Sequence, residues 1–112
     1  MSGSDRSPTT EEDVASYQRD GVVILRQVFS PWIDTLRAGI DALMADPSPL
    51  ERTVRPADGS APFFQDLCNW QRISQFEAFV LESNAAEVAA RLMRSKTARF
   101  FHDHVLVKQP GT

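Results

Sequence analysis

Three adjacent residues near the end of the chain, His102, Asp103 and His104, carry the side-chain types that bind non-haem iron. Successive side chains of a β-strand point to opposite faces, so Asp103 cannot join its two neighbours around one metal ion. The two histidines could share an ion, but an iron site also needs a carboxylate, which would have to come from elsewhere. We therefore favour a structural interpretation, in which both histidines are partly buried and Asp103 pairs with Arg99 on the other face.

Other residues with catalytic potential lack partners at a useful spacing. Cys68 is the one cysteine and has no histidine at a local motif spacing, so we expect a buried structural thiol rather than a nucleophile. The acidic run at residues 11 to 13 is favourable at a helix N-terminus and does not indicate a paired-carboxylate site. The sequence has no glycine-rich phosphate loop. The residues alone indicate an α+β domain and leave its chemistry open.

Length, composition and charge exclude several classes of protein. A chain of 112 residues with 42% hydrophobic and 24% charged residues is typical of a single globular domain, and it is too short for a large barrel enzyme. The net charge of -3 and the scattered Lys and Arg residues argue against a nucleic-acid partner. No apolar run approaches the ~18 residues of a membrane span, and a lone cysteine cannot form an internal disulfide. We therefore expect a reduced, cytoplasmic protein without a membrane partner.

The first quarter of the chain predicts a helix, a tight turn and a strand. Residues 1 to 8 are polar and are expected to be disordered. Thr9 and Glu12 have the capping-box spacing of a helix start, and this helix would run to about Arg19. The apolar run VVIL, residues 22 to 25, follows an Asp-Gly turn signal and predicts a buried strand.

The rest of the chain predicts a long helix, a loop, two short helices and a final strand. A serine N-cap followed by proline opens the long helix, from Ser30 to about Ala45. The proline-rich stretch 46–62 predicts an extended surface loop. Helical spacing of apolar residues and a capping signal at Asn84 predict two consecutive helices within residues 73–94. Residues 97–108 predict one long strand, which completes a single α+β domain over residues 9–112.

Three segments occur in an order that resembles one known family. The first is YQRDGVVILRQVFSPWIDTLRAGID, residues 17 to 41, where a Tyr-x-x-Asp-Gly turn leads into a strand and then a helix. The second, FFQDLCNWQRISQFEAFVLESNAAEVAARLMRS, is similar to the family's next helical stretch. The third is FFHDHVLVKQPGT, which resembles a strand that typically ends in Lys, an acidic residue, Pro and Gly, so that Gln109 is a small departure. From about Thr9 onward, the chain resembles the N-terminal portion of the phytanoyl-CoA dioxygenase family.

This resemblance implies a double-stranded β-helix, or jelly roll, in an oxygenase that uses Fe(II) and 2-oxoglutarate on a small-molecule substrate. The family's iron ligands are a His-x-Asp pair and a distant His, and the pair follows shortly after the Lys-x-Pro-Gly stretch. These ligands would therefore lie beyond Thr112, and residues 102–104 are not that motif, since the order differs. We expect the chain to be the N-terminal part of such a dioxygenase, inactive alone and binding neither Fe(II) nor 2-oxoglutarate by itself.

One cofactor-binding residue is implied by the resemblance. The lysine that ends this strand in some family members contacts 2-oxoglutarate, and it matches Lys108. Strand alternation places His102, His104 and Leu106 on the face of Lys108, and this face would line the barrel interior. The alternative is that Lys108 is a solvated charge at the end of a strand.

The predicted strands are too few for a complete barrel. A jelly roll has about eight strands, whereas the sequence predicts about two, and a long final strand with no neighbour leaves an exposed edge. Two hypotheses follow. The chain is a fragment of the oxygenase, or it is a non-catalytic α+β interaction module whose strand 97–108 pairs with a second copy, forming a homo-oligomer, or with another partner.

Overall fold

Helices cover one face of a two-stranded antiparallel sheet. The computed structural model describes residues 8–111. In chain order they form α1 (Glu11–Asp20), a 3-10 turn (Ser30–Trp32), α2 (Ile33–Ala45), β1 (Phe63–Leu67), α3 (Ser74–Glu82), α4 (Ala85–Leu92) and β2 (His104–Lys108). The predicted α+β class is therefore confirmed. The predicted disorder of residues 1 to 8 falls, apart from residue 8, outside the described residues.

None of the helices in residues 8–111 has the length and apolar composition needed to cross a membrane.

Helix α1 starts one residue later than its sequence predicts. Thr10 is the N-cap: its hydroxyl accepts the Asp13 N–H at 3.1 Å, and the Asp13 carboxylate accepts the Thr10 N–H at 2.9 Å. The predicted cap, Thr9, is instead buried, and its hydroxyl accepts a hydrogen bond from Arg91 of α4 at 2.9 Å. The helix ends at Gly21, whose φ of 74° is the left-handed conformation that glycine adopts at a C-cap. Local sequence rules could not predict this shift, because the bonding partner of Thr9 is 82 residues away in the sequence.

The predicted strand at residues 22–25 is wrong. The segment forms neither helix nor strand, and Val22 and Ile24 are 64% and 74% exposed. A run of β-branched residues becomes a strand only where a neighbouring strand accepts its backbone hydrogen bonds, and within residues 8–111 no strand lies beside it.

Helix α2 confirms the predicted long helix, with its first three residues tightened into the 3-10 turn around Pro31. Its Leu43 is fully buried and belongs to a core cluster with Phe64, Ile73 and Phe76. Partly buried apolar side chains surround this cluster, among them Leu36, Ile40, Met44, Trp70, Val105 and Val107. The core thus lies between α2, α3 and one face of the sheet.

Replacing Gly39 with alanine is expected to destabilise the protein by about 1–3 kcal/mol, since it overpacks the contact between α2 and α3. A Cβ at this position would lie 2.7 Å from Phe76 Cε1 and 3.0 Å from the Cβ of Gln75. The gain of about 1 kcal/mol in helix propensity is too small to compensate. Urea unfolding of Gly39→Ala measures the loss, and combining it with Phe76→Leu should cost less than the sum of the two changes. An unchanged or higher stability of Gly39→Ala would contradict the close helix contact.

Strand β1 is an element that the sequence did not predict. Its side chains alternate between faces, with Phe64 and Asp66 buried and their neighbours partly exposed. The pattern was not recognised because one of the two buried residues is an aspartate, whereas burial is normally predicted from apolar residues. In the sequence, this run begins the segment that resembles the family's helical stretch.

The buried Asp66 holds the loop before β1 in place. Its carboxylate accepts hydrogen bonds from the Ser48 hydroxyl, from the Ser48 N–H at 2.7 Å and from the Leu67 N–H at 2.8 Å. Burial acts to raise the pKa of Asp66, but the bonds from Ser48 and Leu67 outweigh it and lower the pKa below its ordinary value. The predicted loop 46–62 is confirmed, and it carries a single bridge, from Val54 to Phe63.

The two predicted short helices are confirmed as α3 and α4, but the capping signal of α4 is not used. Asn84 occupies the N-cap position, yet its side chain makes no capping bond. The Ser83 hydroxyl instead accepts the Ala85 N–H at 3.2 Å.

The final strand is shorter than predicted. Strand β2 covers only residues 104–108, and residues 97–103 have no regular secondary structure. It pairs with β1 in a register that places Phe63 opposite Lys108 and Leu67 opposite His104.

Candidate functional site

The two faces of β2 differ in what covers them. Val105 and Val107 pack against the helical core, whereas His104, Leu106 and Lys108 are exposed. We call this second side of the sheet the open face; β1 contributes Phe63, Gln65 and Leu67 to it. Among the residues that the structure describes, the open face is where a histidine, a lysine and several apolar side chains lie together on one surface of the sheet.

The two histidines are exposed, and the prediction that they are partly buried is wrong. His104 Nε2 lies 3.2 Å from Gln65 Oε1 across the two strands. His102 precedes the strand, and its ring meets the ring of Phe101 edge-on at 4.5 Å between centroids. The two histidines were predicted to lie on one face of a strand. Because β2 begins only at His104, His102 is not part of that face.

Lys108 is the last residue of β2 and lies exposed on the open face. Its ammonium nitrogen is 5.9 Å from the centroid of the Phe63 ring, its cross-strand neighbour, which is a cation–π distance. The predicted contact of Lys108 with 2-oxoglutarate stays a prediction.

Asp103 does not pair with Arg99, and that prediction is wrong. Its carboxylate oxygens lie 2.9 and 2.8 Å from the Asn69 N–H and 2.8 Å from the Trp70 N–H, so they accept the backbone donors of the turn after β1. The Asp103 carbonyl also accepts the Cys68 N–H at 3.0 Å. The carboxylate is therefore part of the scaffold that connects β1 to α3.

Cys68 is exposed, so the prediction of a buried thiol is wrong. It follows β1 directly and has a φ of 60°, in the left-handed region that non-glycine residues rarely adopt. The turn held by Asp103 imposes this conformation, which directs the chain into the loop before α3. The sequence around Cys68 does not indicate that the thiol is exposed, because the turn that exposes it is held by the distant Asp103.

The residues that the structure describes do not fit an iron site. Within residues 8–111, no three His, Cys, Asp or Glu side chains are grouped closely enough to hold a metal ion. Asp103 is occupied by backbone donors, and the two histidines lie in separate surroundings. The facial triad considered for His102, Asp103 and His104 is therefore not formed by this geometry.

The parity of the β-ladder defines which backbone groups of β2 face away from β1. Phe63 exchanges two hydrogen bonds with Val54 on its other side, each at 2.9 Å, so it does not exchange backbone bonds with Lys108 opposite it. Pairs alternate along an antiparallel ladder, so the N–H and C=O groups of His104, Leu106 and Lys108 point away from β1. We call this side of β2 the outer edge; within the described chain, no strand pairs with it.

An apolar groove of about 470 Å³ runs beside the outer edge. Its walls come from α2, through Leu36 and Ile40, from α3, through Phe76 and Phe79, and from residues 103–106. Strand β1 contributes nothing to the lining, so the groove lies on the side of β2 that faces away from β1.

A smaller cavity, of about 180 Å³, adjoins the groove and shares Phe79, Val80 and Phe100 with it. Alanine side chains of α4 line its far side, and Arg99 contributes its one charged group. Within residues 8–111, the Arg99 side chain makes neither an ion pair nor a hydrogen bond. An unpaired cation thus lies at one end of an apolar channel.

Comparisons of the chain with protein-family models, with curated proteins and with solved structures find no match. The resemblance to the phytanoyl-CoA dioxygenase family therefore stays a prediction from the sequence.

Proposed function

We propose that this chain is the N-terminal part of an Fe(II)/2-oxoglutarate-dependent oxygenase of the phytanoyl-CoA dioxygenase family. The observation that carries the proposal is the contrast between the faces of β2: Val105 and Val107 pack on helices, and the face of Lys108 is open. A jelly roll needs a second sheet against the inner face of the first, while helices can cover the outer face. Lys108 would then point into the barrel, where a lysine can pair with a carboxylate of 2-oxoglutarate.

Unpaired apolar surface supports the proposal that further strands complete the fold. Val22, Ile24, Phe101 and Leu106 are between 53% and 89% exposed, which is unusual for large apolar side chains in a closed domain. The radius of gyration is 16.6 Å. A compact domain of this length would have about 13 Å.

The iron would have to be bound outside the described residues, because these do not group the necessary ligands. Iron supplies the oxygen-activating chemistry in this class of enzyme; what this chain would contribute is the helical cover, one wall of the barrel and the positive charge of Lys108. We therefore expect residues 1–112 alone to bind Fe(II) and 2-oxoglutarate weakly and to form no succinate.

The experiment compares this chain with the same chain extended by the polypeptide encoded after Thr112, assaying the conversion of 2-oxoglutarate to succinate with Fe(II) and O₂. We expect succinate from the extended protein only. Lys108→Ala in that protein should raise the 2-oxoglutarate concentration required for half-maximal rate by about tenfold, as loss of a charge-assisted contact predicts. Lys96→Ala, an exposed lysine outside the open face, is the matched control and should change nothing. Succinate formed by residues 1–112 alone would contradict the proposal.

A further inference from the structure

We propose that the outer edge of β2 and the groove beside it bind an extended peptide segment as an added antiparallel strand. The segment would carry apolar side chains at alternate positions and a carboxylate at its C-terminal end. This inference applies to the outer edge as it stands in residues 8–111, where no strand pairs with it. A completed jelly roll would pair this edge with its own next strand, so we expect peptide binding by residues 1–112 and not by the extended oxygenase.

The backbone of the outer edge offers a regular set of hydrogen-bonding groups. His104, Leu106 and Lys108 each direct one N–H and one C=O outward, with the spacing of an antiparallel ladder. The opposite edge of the sheet is already occupied, because residues 52–54 bond to β1 there. Strand addition at a free edge takes its affinity from such main-chain bonds.

The groove determines which side chains the added strand should carry. Side chains of an added strand alternate between the open face and the helical face of the extended sheet. Those on the helical face would enter the groove and contact its apolar walls, which include Leu36, Ile40, Phe76 and Phe79. Apolar residues at every second position are therefore required, and their burial adds to the main-chain bonds.

Charge determines the orientation of the added strand. Arg99 lies in the adjoining cavity, beyond the end of β2 at which His104 begins the strand. The C-terminal end of an antiparallel partner passes this end of β2. A carboxylate there would meet the unpaired guanidinium of Arg99, so we assign a terminal or side-chain carboxylate to that end of the peptide.

A lone peptide segment fits the groove better than β2 of a second copy. In a second copy, Val105 and Val107 are already packed on that copy's own helical core. Pairing of two β2 strands would bring this helical layer into a groove that α2 and α3 of the first copy already wall. Pairing of two copies is therefore the competing outcome of the test.

The test uses a short acetylated peptide of alternating valine and threonine that ends in glutamate, titrated into the protein with amide hydrogen exchange as the readout. We expect saturable binding that protects the amides of His104, Leu106 and Lys108, while Val105 and Val107, already bonded to β1, change little. The same peptide with N-methylated alternate residues should not protect them. Binding without this alternation would overturn the proposal.

Two variants separate the backbone from the charge. Leu106→Pro removes an outward N–H, a position where an edge strand tolerates proline, and should weaken binding by about tenfold or more. Arg99→Glu, which leaves the strand untouched, should weaken it by about fivefold or more, whereas Arg26→Glu, another exposed arginine, should not. Unchanged affinity in Arg99→Glu would overturn the assigned orientation. The same amide protection appearing without peptide, as protein concentration rises, would overturn the peptide assignment in favour of a second copy.

Discussion

Asp66→Ala is expected to lower the free energy of unfolding by about 4 kcal/mol, because it removes the acceptor of three hydrogen bonds at a fully buried position. The Ser48 N–H and hydroxyl and the Leu67 N–H would be left without a partner. The loop that precedes β1 would lose its attachment to the sheet. Chemical denaturation measures the loss, and Ser48→Ala, which removes only the hydroxyl, should cost about 1–2 kcal/mol.

The same carboxylate makes stability depend on pH. Hydrogen bonds from Ser48 and Leu67, acting against burial, lower the pKa of Asp66 in the folded protein, so the unfolded chain binds the proton more readily. This stabilisation is complete above the ordinary aspartate pKa of about 3.9 and is lost as the pH falls through the lower pKa of the folded state. Denaturation curves collected from neutral pH to about pH 3 should therefore show a smaller loss in Asp66→Asn than in the parent protein.

Asp58 provides the control for this pH effect. Hydrogen bonds from the Ser60 hydroxyl and the Ser60 N–H lower the pKa of Asp58 as well, but its side chain is fully exposed. Solvent screens such a group, so Asp58→Asn should leave both the stability and its pH dependence nearly unchanged. An equal effect of the two substitutions would contradict the role assigned to the burial of Asp66.

Asp103→Ala is expected to destabilise the protein by about 3 kcal/mol. Its carboxylate accepts the N–H groups of Asn69 and Trp70, and Asn69 is 1% exposed, so water cannot readily replace the lost acceptor. The turn that leads from β1 into α3 would loosen, and the start of β2 with it. Thermal denaturation measures the change, and Asp103→Asn should retain part of the stability, since its amide oxygen still accepts a hydrogen bond.

Arg99→Ala separates this explanation from the ion pair that the sequence predicted. Arg99 forms no ion pair with Asp103, so its removal should change the stability by less than about 0.5 kcal/mol. A loss in Arg99→Ala comparable to that in Asp103→Ala would indicate an ion pair and contradict the hydrogen bonds to the turn.

The helices were predictable from local signals, because caps and apolar spacing act within a few residues. The left-handed Gly21 and the proline of the 3-10 turn lie where short-range rules place helix ends, and the Thr10 cap lies one residue from the predicted Thr9. The strands could not be predicted in the same way, because a strand forms only where a distant segment pairs with it. Residues 22–25 have strand composition and no partner in the described chain, while β1 has a partner and carries an aspartate on its buried face.

The candidate site was predictable only in part. Strand alternation correctly placed His104, Leu106 and Lys108 on one face, but it could not indicate that helices leave this face open. Asp103 was assigned to Arg99 because charge pairing is the usual expectation between nearby residues of a strand. Its real partners are backbone N–H groups more than thirty residues earlier, at Asn69 and Trp70, and no local pattern identifies them. The outer edge and the groove could not be predicted from the sequence, because locating them requires the hydrogen-bond pattern of the β-ladder and the positions of the helices.

The most direct measurement is to read the coding sequence through and beyond the codon for Thr112, together with the intact mass of the native protein. If this chain is the front of an oxygenase, the reading frame continues into a His-x-Asp pair shortly after residues 108–111, and the native mass exceeds the 12.5 kDa of residues 1–112. A stop codon directly after Thr112, with a native mass that matches these residues, would contradict the oxygenase proposal.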